Sequence, residues 1–303
     1  MPVVLITGCS TGIGLAAAIH LAKEGHKVYA TMRQPLNSDL PAIIREKLLP
    51  IDVLSLDVNN EESVRKAVQQ VTDQEGQIDV LVNNAGTSAF GSVEETSLDD
   101  FRSDMETNYF GTIRCIKAVL PAMRKRKKGL IVNITSVAGK VFSNFHGTYA
   151  PTKAAVEAFS ECLAQEVQPF GIRVAVVEPG VIDTPIFGKA YKLPVATEYP
   201  NIKRFLSLFA ASVDNHTSPK QVAVVIGDII SGRSAKFRNT AGPDAEPLLA
   251  WRASQTDEDW LASTGVDDQT WIDGMEDGMN LHVRQYMEDP TRINFKNPPV
   301  PAV

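Results

Sequence analysis

The chain has 303 residues, of which 44% are hydrophobic and 22% are charged, and its formal net charge is -6. This size and balance are typical of a globular protein with a sizeable core, and the charge argues against a nucleic-acid partner. The three cysteines, Cys9, Cys115 and Cys162, lie far apart, so we expect no disulfide framework, no metal site and a reducing, cytoplasmic location. Because no run of about 18 apolar residues occurs, we also expect no membrane span.

Strand-like runs alternate with helical patterns along most of the chain. The predicted strands are Val3–Thr7, Lys27–Met32, Ile51–Leu56, Val80–Val82, Leu130–Thr135, Ile172–Val177 and Ala235–Thr240. The predicted helices are 12–24, Glu61–Gln74, 97–127, Tyr149–Gln168 and Pro219–Ser231. Near-continuous Val, Ile and Leu strands separated by helices indicate a parallel sheet that is covered on both faces. The sequence therefore predicts an α/β fold, a Rossmann-type doubly wound sheet with helices on both faces and a C-terminal tail.

A basic run, Arg124-Lys125-Arg126-Lys127-Lys128, closes the helical stretch 97–127. Cations at this end complement the helix dipole, and we expect Gly129 to cap the helix. The run is therefore interpreted as a helix end and not as a nucleic-acid or lipid patch.

The composition changes after Gly242-Pro243-Asp244-Ala245. Residues 246–303 hold all three tryptophans, many acidic residues and a Pro-rich end. We predict a single dinucleotide-binding catalytic domain over 1–245 and an acidic, partly helical extension over 246–303. The tryptophans either pack on the core, cover a substrate pocket or meet a partner chain, and packing is favoured.

The turn after the first strand is rich in glycine and reads Thr7-Gly8-Cys9-Ser10-Thr11-Gly12-Ile13-Gly14. Glycines let a backbone approach a pyrophosphate, and the following helix offers free N–H groups and the positive end of its dipole. The spacing GxxxGxG differs from the general GxGxxG fingerprint. We predict that a dinucleotide is bound here by Gly8, Ser10, Thr11, Gly12, Ile13 and Gly14.

The end of the second strand indicates which dinucleotide is bound. An acidic residue there binds the ribose hydroxyls of NAD, whereas an arginine accommodates the 2′-phosphate of NADP. This chain has Met32-Arg33 and no acid, which favours NADP(H) over NAD(H). Asp57 and Val58 follow the third strand, where the adenine edge is expected, and Asn84 follows the fourth strand, where small residues let the cofactor pass.

Ser136 follows the fifth strand, and Tyr149-Ala-Pro-Thr-Lys153 opens a helix. Residues four apart share one face of a helix, and an ammonium close to a phenol is expected to lower the pKa of that phenol. This is how a tyrosine becomes an acid and base near neutral pH.

From Val3 to about Ala245 the chain resembles the short-chain dehydrogenase/reductase family. The resemblance depends on the glycine-rich turn, Asn83-Asn84-Ala85-Gly86, Asn108, Ser136, Tyr149-x-x-x-Lys153 and Pro179-Gly180. Within the family, Val28–Arg33 and Phe237–Ala245 look like the branch of retinol dehydrogenases and 17β-hydroxysteroid dehydrogenases.

The resemblance implies a role for each motif residue. Tyr149 would exchange the proton, Lys153 would lower its pKa and bind the nicotinamide ribose, and Ser136 would polarise the substrate oxygen. Asn108 would hold a water that links Lys153 to solvent, while a kink or packing role was the alternative. The nicotinamide would lie beside Pro179, Gly180, Ile182 and Thr184. The resemblance also implies a homodimer or homotetramer formed by helix 97–127 and the helix of Tyr149.

Apolar and aromatic residues dominate the regions expected to form the substrate pocket. They are Val141, Phe142, Phe145 and His146, and, between Pro185 and Ser218, Ile186, Phe187, Tyr191, Leu193, Tyr199, Phe205, Leu206, Leu208 and Phe209. Phe205, Leu208 and Phe209 also have helical spacing, so packing within a lid is an equal alternative. His146 could contact the substrate, but an incidental role is favoured for a lone histidine.

These features predict an NADP(H)-dependent oxidoreductase that interconverts a carbonyl and an alcohol on a small hydrophobic substrate. Two alternatives are a non-enzymatic NADP-sensing regulator and a non-redox lyase or epimerase on the same fold. The set Asn108, Ser136, Tyr149 and Lys153 argues against a sensor, because a sensor needs only the nucleotide site.

Overall fold

The computed structural model describes residues 1–187, 197–214 and 217–293. Within them, seven strands form one parallel sheet in the order β3-β2-β1-β4-β5-β6-β7. The strands are β1 (Val3–Ile6), β2 (Lys27–Met32), β3 (Ile51–Ser55), β4 (Val80–Asn83), β5 (Gly129–Ile134), β6 (Ile172–Pro179) and β7 (Arg238–Ala241). The chain order reverses direction between β1 and β4, which is where a doubly wound sheet opens a crevice for a ligand. The predicted fold class is confirmed.

The sheet is buried because successive side chains of each strand enter two different cores. Val4 and Ile6 pack with Leu21 and Ile226 on one face. Val3 and Leu5 pack on the other face with helices that include Ile116, Leu163 and Val64. A strand whose two faces are both covered is apolar at most positions, which explains the long Val/Ile/Leu runs.

Helices cover both faces of the sheet. They are α1 (Gly12–Lys23), α2 (Leu40–Lys47), α3 (Glu61–Glu75), α4 (Leu98–Met105), α5 (Gly111–Arg126), α6 (Ala150–Val167), α7 (Ile202–Asp214), α8 (Pro219–Ser231), α9 (Ala245–Ser254), α10 (Asp257–Ala262), α11 (Asp268–Met279) and α12 (Arg284–Glu288). No helix in the described ranges combines the length and apolar composition that crossing a membrane requires.

The predicted helix 97–127 contains a π-helical turn that sequence reasoning missed. Glu106–Phe110 form this turn between α4 and α5, and Asn108 lies inside it. At the other end the expected cap is wrong, because Lys127 adopts the left-handed conformation (φ 54°) and Gly129 already belongs to β5. Gly129 is needed for a different reason, since a Cβ there would lie 2.5 Å from Met123 Sδ.

The C-terminal residues form a third apolar cluster together with α7. Phe205 and Phe209 of α7 pack with Ile272, Val283 and Tyr286. Arg204 also joins α7 to α11, because its Nε donates to Asp268 Oδ1 at 2.7 Å. The part of the extension that the structure describes is thus helical and supports α7. The division into two regions at residue 245 stays a prediction.

The three tryptophans have different surroundings. Trp271 packs against the third cluster, whereas Trp251 and Trp260 stack edge to face with ring centroids 5.1 Å apart. Trp260 Nε1 also donates to the carbonyl of Phe142 at 3.0 Å. Trp271 and Trp260 thus contact parts of the chain before the extension, whereas the ring contact of Trp251 is with Trp260.

Candidate active site

A cleft of about 590 Å³ lies at the carboxyl ends of the central strands. Many predicted site residues line it. They are Gly8, Ser10, Thr11, Gly12, Ile13, Arg33, Asp57, Val58, Asn84, Ser136, Tyr149, Lys153, Pro179, Gly180, Ile182 and Thr184. The predicted residues Gly14 and Asn108 are not among the lining residues that the structure describes. Loops that are distant in sequence therefore converge on one cavity.

The glycine-rich turn has the shape of a phosphate cradle. Gly8 and Gly12 have φ values of 73° and 58°, where a side chain is strained. A Cβ on Gly8 would lie 2.7 Å from Ala85 Cα, and one on Gly12 would lie 3.2 Å from Thr184 Cγ2. The backbone can approach its neighbours only because these side chains are missing, so the turn fits a pyrophosphate at the start of α1.

Gly14 acts beneath this cradle and not inside the cleft. A Cβ at Gly14 would collide with the carbonyl oxygen of Gly8 and would lie 2.5 Å from Asn84 Nδ2. Gly14 therefore lets the first turn of α1 pack against the turn that precedes it.

Two hydrogen-bonded residues join the glycine-rich turn to the loop after β4. Thr7 Oγ1 accepts the N–H groups of Asn84 and Ala85, both at 3.0 Å. Asn84 Nδ2 donates in return to the carbonyls of Thr7 (2.9 Å) and Gly8 (3.1 Å). Asn84 thus both lines the cleft and maintains its shape.

The far end of the cleft presents a cation. Arg33 is exposed at the end of β2 and lines the cleft, while the neighbouring Met32 is buried. Asp57 lines the same end, and its Oδ1 accepts the N–H of Asn59 at 3.0 Å, which stabilises the turn after β3. The guanidinium is therefore available to an anionic group at this position.

The proposed acid–base residues lie at the opposite end. Ser136 begins a short 3-10 turn after β5, and its Oγ accepts the N–H of Ala138 at 3.1 Å. Tyr149 immediately precedes α6, and Lys153 follows one turn later. Lys153 Nζ is buried, donates to the carbonyl of Ile134 at 2.9 Å, and lies 5.5 Å from the centre of the Tyr149 ring. The hydrogen bond to β5 directs the ammonium towards the cleft.

The pKa of Tyr149 differs from the expectation. Burial raises the pKa of the phenol to about 12, and this outweighs the lowering effect of its hydrogen bond with Ser136. The expected net lowering of this pKa is therefore wrong for the protein alone, because loss of hydration opposes the phenolate more strongly than the neighbouring groups favour it. Burial likewise lowers the pKa of Lys153 to about 8, although Glu157 and Asp104 raise it.

Asn108 is buried, and its hydrogen bonds connect three segments of the chain. Its Nδ2 donates to the carbonyl of Thr87 (2.8 Å) and to Thr152 Oγ1 (2.9 Å), and its Oδ1 accepts the N–H of Thr87 at 2.8 Å. Its own carbonyl accepts the hydroxyl of Thr112 at 2.8 Å. The side chain thus connects the π-helical turn, the loop after β4 and α6, which favours the packing alternative over a relay through this side chain.

Apolar side chains line the part of the cleft beside Tyr149. Of the predicted pocket residues, Val141, His146, Ile186, Phe187, Leu208 and Phe209 line it. Phe145 and Phe205 pack behind it in the third cluster with Leu206 and Tyr199, and Phe142 is exposed. Tyr191 and Leu193 lie outside the described residues.

The lining residues that sequence reasoning missed include the apolar Phe90 and Leu248, as well as polar loop residues such as Thr87, Ser88 and Ser143. Phe90 lies in the loop after β4, so its position beyond the carboxyl end of a central strand was an available signal. Leu248 lies in the extension, for which the sequence offered no comparable signal.

His146 is an uncharged part of the pocket wall. Its ring packs among Phe90, Phe205 and Phe209 at centroid distances of 5.5, 5.3 and 5.4 Å. Burial lowers the pKa of His146 to about 4, so the imidazole is neutral at physiological pH. The wall beside Tyr149 therefore suits an apolar ligand.

The geometry agrees with comparisons to known proteins. A family model described as short chain dehydrogenase matches residues 2–195. The chain belongs to this family. The predicted family is confirmed, and the relatives support an oxidoreductase activity.

Relatives span most of this short-chain dehydrogenase. A 3-ketodihydrosphingosine reductase from Bacteroides thetaiotaomicron is 35% identical over 252 residues, which are 82% of this chain and 90% of the relative. Retinol dehydrogenase 8 from Bos taurus is 37% identical over 265 residues, or 82% and 84% of the two chains. A solved structure of actinorhodin polyketide ketoreductase with NADPH matches with a TM-score of 0.70 and 30% identity, covering 80% of this chain and 97% of that one.

Proposed function

We propose that this protein is an NADP(H)-dependent oxidoreductase that interconverts a carbonyl and an alcohol on a hydrophobic substrate. The observation that carries the proposal is the convergence of Ser136, Tyr149 and Lys153 on the cleft that the glycine-rich turn also lines. Such a cleft provides a nucleotide cradle at one end and proton-transfer groups at the other. A nicotinamide cofactor would supply the hydride.

Tyr149 is proposed to give its phenolic proton to the substrate oxygen as hydride reaches the carbonyl carbon. Its raised pKa of about 12 keeps the phenol protonated at neutral pH, which is the state that reduction requires. Ser136 hydrogen-bonds the substrate oxygen and stabilises the charge that develops there. Lys153 is charged below its pKa of about 8, and its ammonium favours the phenolate that proton transfer leaves. Alcohol oxidation uses the same groups in reverse.

The preference for NADP(H) is proposed from Arg33. Its exposed guanidinium lines the cleft at the end of β2, where it can pair with a 2′-phosphate. The likeness to a ketoreductase structure that contains NADPH supports the same assignment. Ser10 and Thr11 are placed at the start of α1 to bind phosphate oxygens.

The hydrophobic substrate is proposed from the aromatic and aliphatic wall beside Tyr149. Phe90, Phe187 and Phe209 contribute rings to it, and His146 contributes a neutral one. Two relatives are named for a ketone and for retinol. Pockets of this composition bind ligands mainly through buried apolar area.

A homodimer or homotetramer is proposed from the surface where the π-helical turn Glu106–Phe110 meets α6. Tyr109, Phe110 and Phe159 form an aromatic group there, with centroid distances of 5.2 and 6.1 Å. Phe110 is 45% exposed, and a second copy of the chain packed on this aromatic group would cover it. Sedimentation of the wild type and of Phe110→Asp tests this, and a wild-type monomer would contradict it.

The cofactor and substrate assignments are tested with purified protein and a panel of steroid, retinoid, aliphatic and small polar carbonyls. We expect turnover with bulky apolar members and NADPH, and weaker turnover with NADH. Arg33→Ala should weaken NADPH binding about tenfold or more while NADH binding changes little, because only NADPH carries the 2′-phosphate. Equal weakening of both nucleotides would refute the NADP assignment, and a preference for small polar ketones would refute the hydrophobic pocket.

A further inference from the structure

Asp244 lies between β7 and α9 and contacts the segment after β6. Its Oδ2 accepts the N–H of Val181 at 2.7 Å. Its Oδ1 is buried and has no hydrogen-bond partner among the described residues. Burying a carboxylate oxygen without a hydrogen-bond partner costs folding free energy. Such a group in a folded protein therefore calls for an explanation, for which its contact with Val181 is a candidate.

The carboxyl group also presses against Gly180. A Cβ at Gly180 would collide with Asp244 Oδ1 and would lie 2.5 Å from its Cγ. The N–H of Gly180 meanwhile donates to the carbonyl of Ala241 at 2.9 Å. The segment is therefore held by β7 through Gly180 and by the Asp244 carboxylate through Val181.

The usual reason for an aspartate before a helix does not apply here. Asp244 is the residue that precedes α9, yet its side chain makes no capping hydrogen bond to that helix within the described chain. The described residues also give it no ion-pair partner. The carboxyl group is turned away from α9 and towards the segment at Gly180.

That segment forms one wall of the cleft. Pro179, Gly180, Val181 and Ile182 all line it, on the side where the nicotinamide is expected. Fixing this wall determines where the nicotinamide ring can lie relative to Tyr149, and small displacements of reacting groups reduce rates strongly.

We propose that Asp244 is a positioning residue that holds the Pro179–Ile182 wall in place for the nicotinamide half of the cofactor. The inference rests on the proposed function. Asp244 is not among the residues that line the cleft within the described chain, so it acts through Gly180 and Val181. It also links the start of the C-terminal helices to the reaction site.

The test compares a whole cofactor with a fragment that lacks nicotinamide. Asp244→Ala should weaken NADPH binding about tenfold, since it removes a hydrogen bond to a carboxylate. Binding of 2′-phospho-ADP-ribose should change less than twofold. Asp244→Asn keeps the shape and an acceptor oxygen, and we expect it to restore most of the NADPH affinity. A merely structural role would weaken both ligands equally.

Gly180→Ala provides a second variant that leaves Asp244 intact. Its added methyl group displaces the same wall, so it should reproduce the selective loss of NADPH affinity. Asp244→Ala should relieve part of that loss in the double variant, because the colliding oxygen is gone.

Unchanged NADPH binding in both single variants, or equal loss of NADPH and the fragment, would overturn the inference. Failure of the wild-type protein to bind either NADPH or NADH would instead refute the proposed function, and this inference with it. The two failures are therefore distinguishable by the wild-type titration.

Discussion

Replacement of Asn108 by alanine tests whether the hydrogen bonds of its side chain stabilise the fold. The residue is 2% exposed, and its side chain makes three hydrogen bonds to Thr87 and Thr152. Each such bond contributes roughly 0.5–1.5 kcal/mol net. We therefore expect Asn108→Ala to lower the free energy of unfolding by about 2–4 kcal/mol, a large share of a typical total of about 5–15 kcal/mol.

Loss of the Asn108 hydrogen bonds should also disturb the position of Tyr149 at the reaction site. Thr152 donates its hydroxyl to the carbonyl of Tyr149 at 2.7 Å, so the bond between Asn108 and Thr152 orients the start of α6. We expect lower kcat in Asn108→Ala together with lower stability. Equilibrium urea unfolding, followed by fluorescence and circular dichroism, measures the second effect.

Thr152→Val is the matched control, because it removes one of the three Asn108 bonds together with the bond from the Thr152 hydroxyl to the Tyr149 carbonyl. It should lower the free energy of unfolding by about 1–3 kcal/mol. A structural role of Asn108 would be refuted if Asn108→Ala destabilised the protein by less than Thr152→Val does, or if it lost activity at unchanged stability. Either result would favour a direct role of Asn108 in the proton relay.

Two further predictions concern charge and backbone contact. Glu157 raises the pKa of Lys153, so Glu157→Gln should move that pKa below about 8. Activity that needs the ammonium persists below this pKa and falls as pH rises through it, so the alkaline limb of kcat/KM should shift to lower pH; an unmoved limb contradicts this. Gly14→Ala should weaken NADPH binding at least tenfold by crowding Gly8, whereas Gly274→Ala, with open space around it in the described structure, should leave binding unchanged. Fluorescence titration measures the NADPH affinity of both glycine variants. Equal NADPH affinities of Gly14→Ala and Gly274→Ala would refute the packing role of Gly14.

The sheet could be predicted because the burial of its strands produces apolar runs that are visible in the local sequence. β1 and β4 are buried at every position, so β1 appears as an uninterrupted apolar run and β4 as an apolar run that ends at Asn83. The predicted last strand began at Ala235, three residues before β7, because it lacks that run and its boundary depends on pairing with β6.

The cleft could be predicted because strand ends of a parallel sheet meet at one edge. Ser136 and Tyr149 are thus placed together although a loop separates them. The π-helical turn around Asn108 could not be foreseen, since its i→i+5 bonding has no residue signature. The pKa of Tyr149 depends on the burial of the phenol by distant segments, which no local pattern reveals.

The central claim is that Tyr149 transfers the proton in a nicotinamide-dependent carbonyl reduction. It is tested most directly by measuring NADPH oxidation and NADPH affinity in the wild type and in Tyr149→Phe. We expect the variant to lose turnover by at least a thousandfold, on the order of what general acid catalysis contributes, while its NADPH affinity stays within about threefold of the wild-type value. Retained turnover in Tyr149→Phe would show that Tyr149 is not the proton donor.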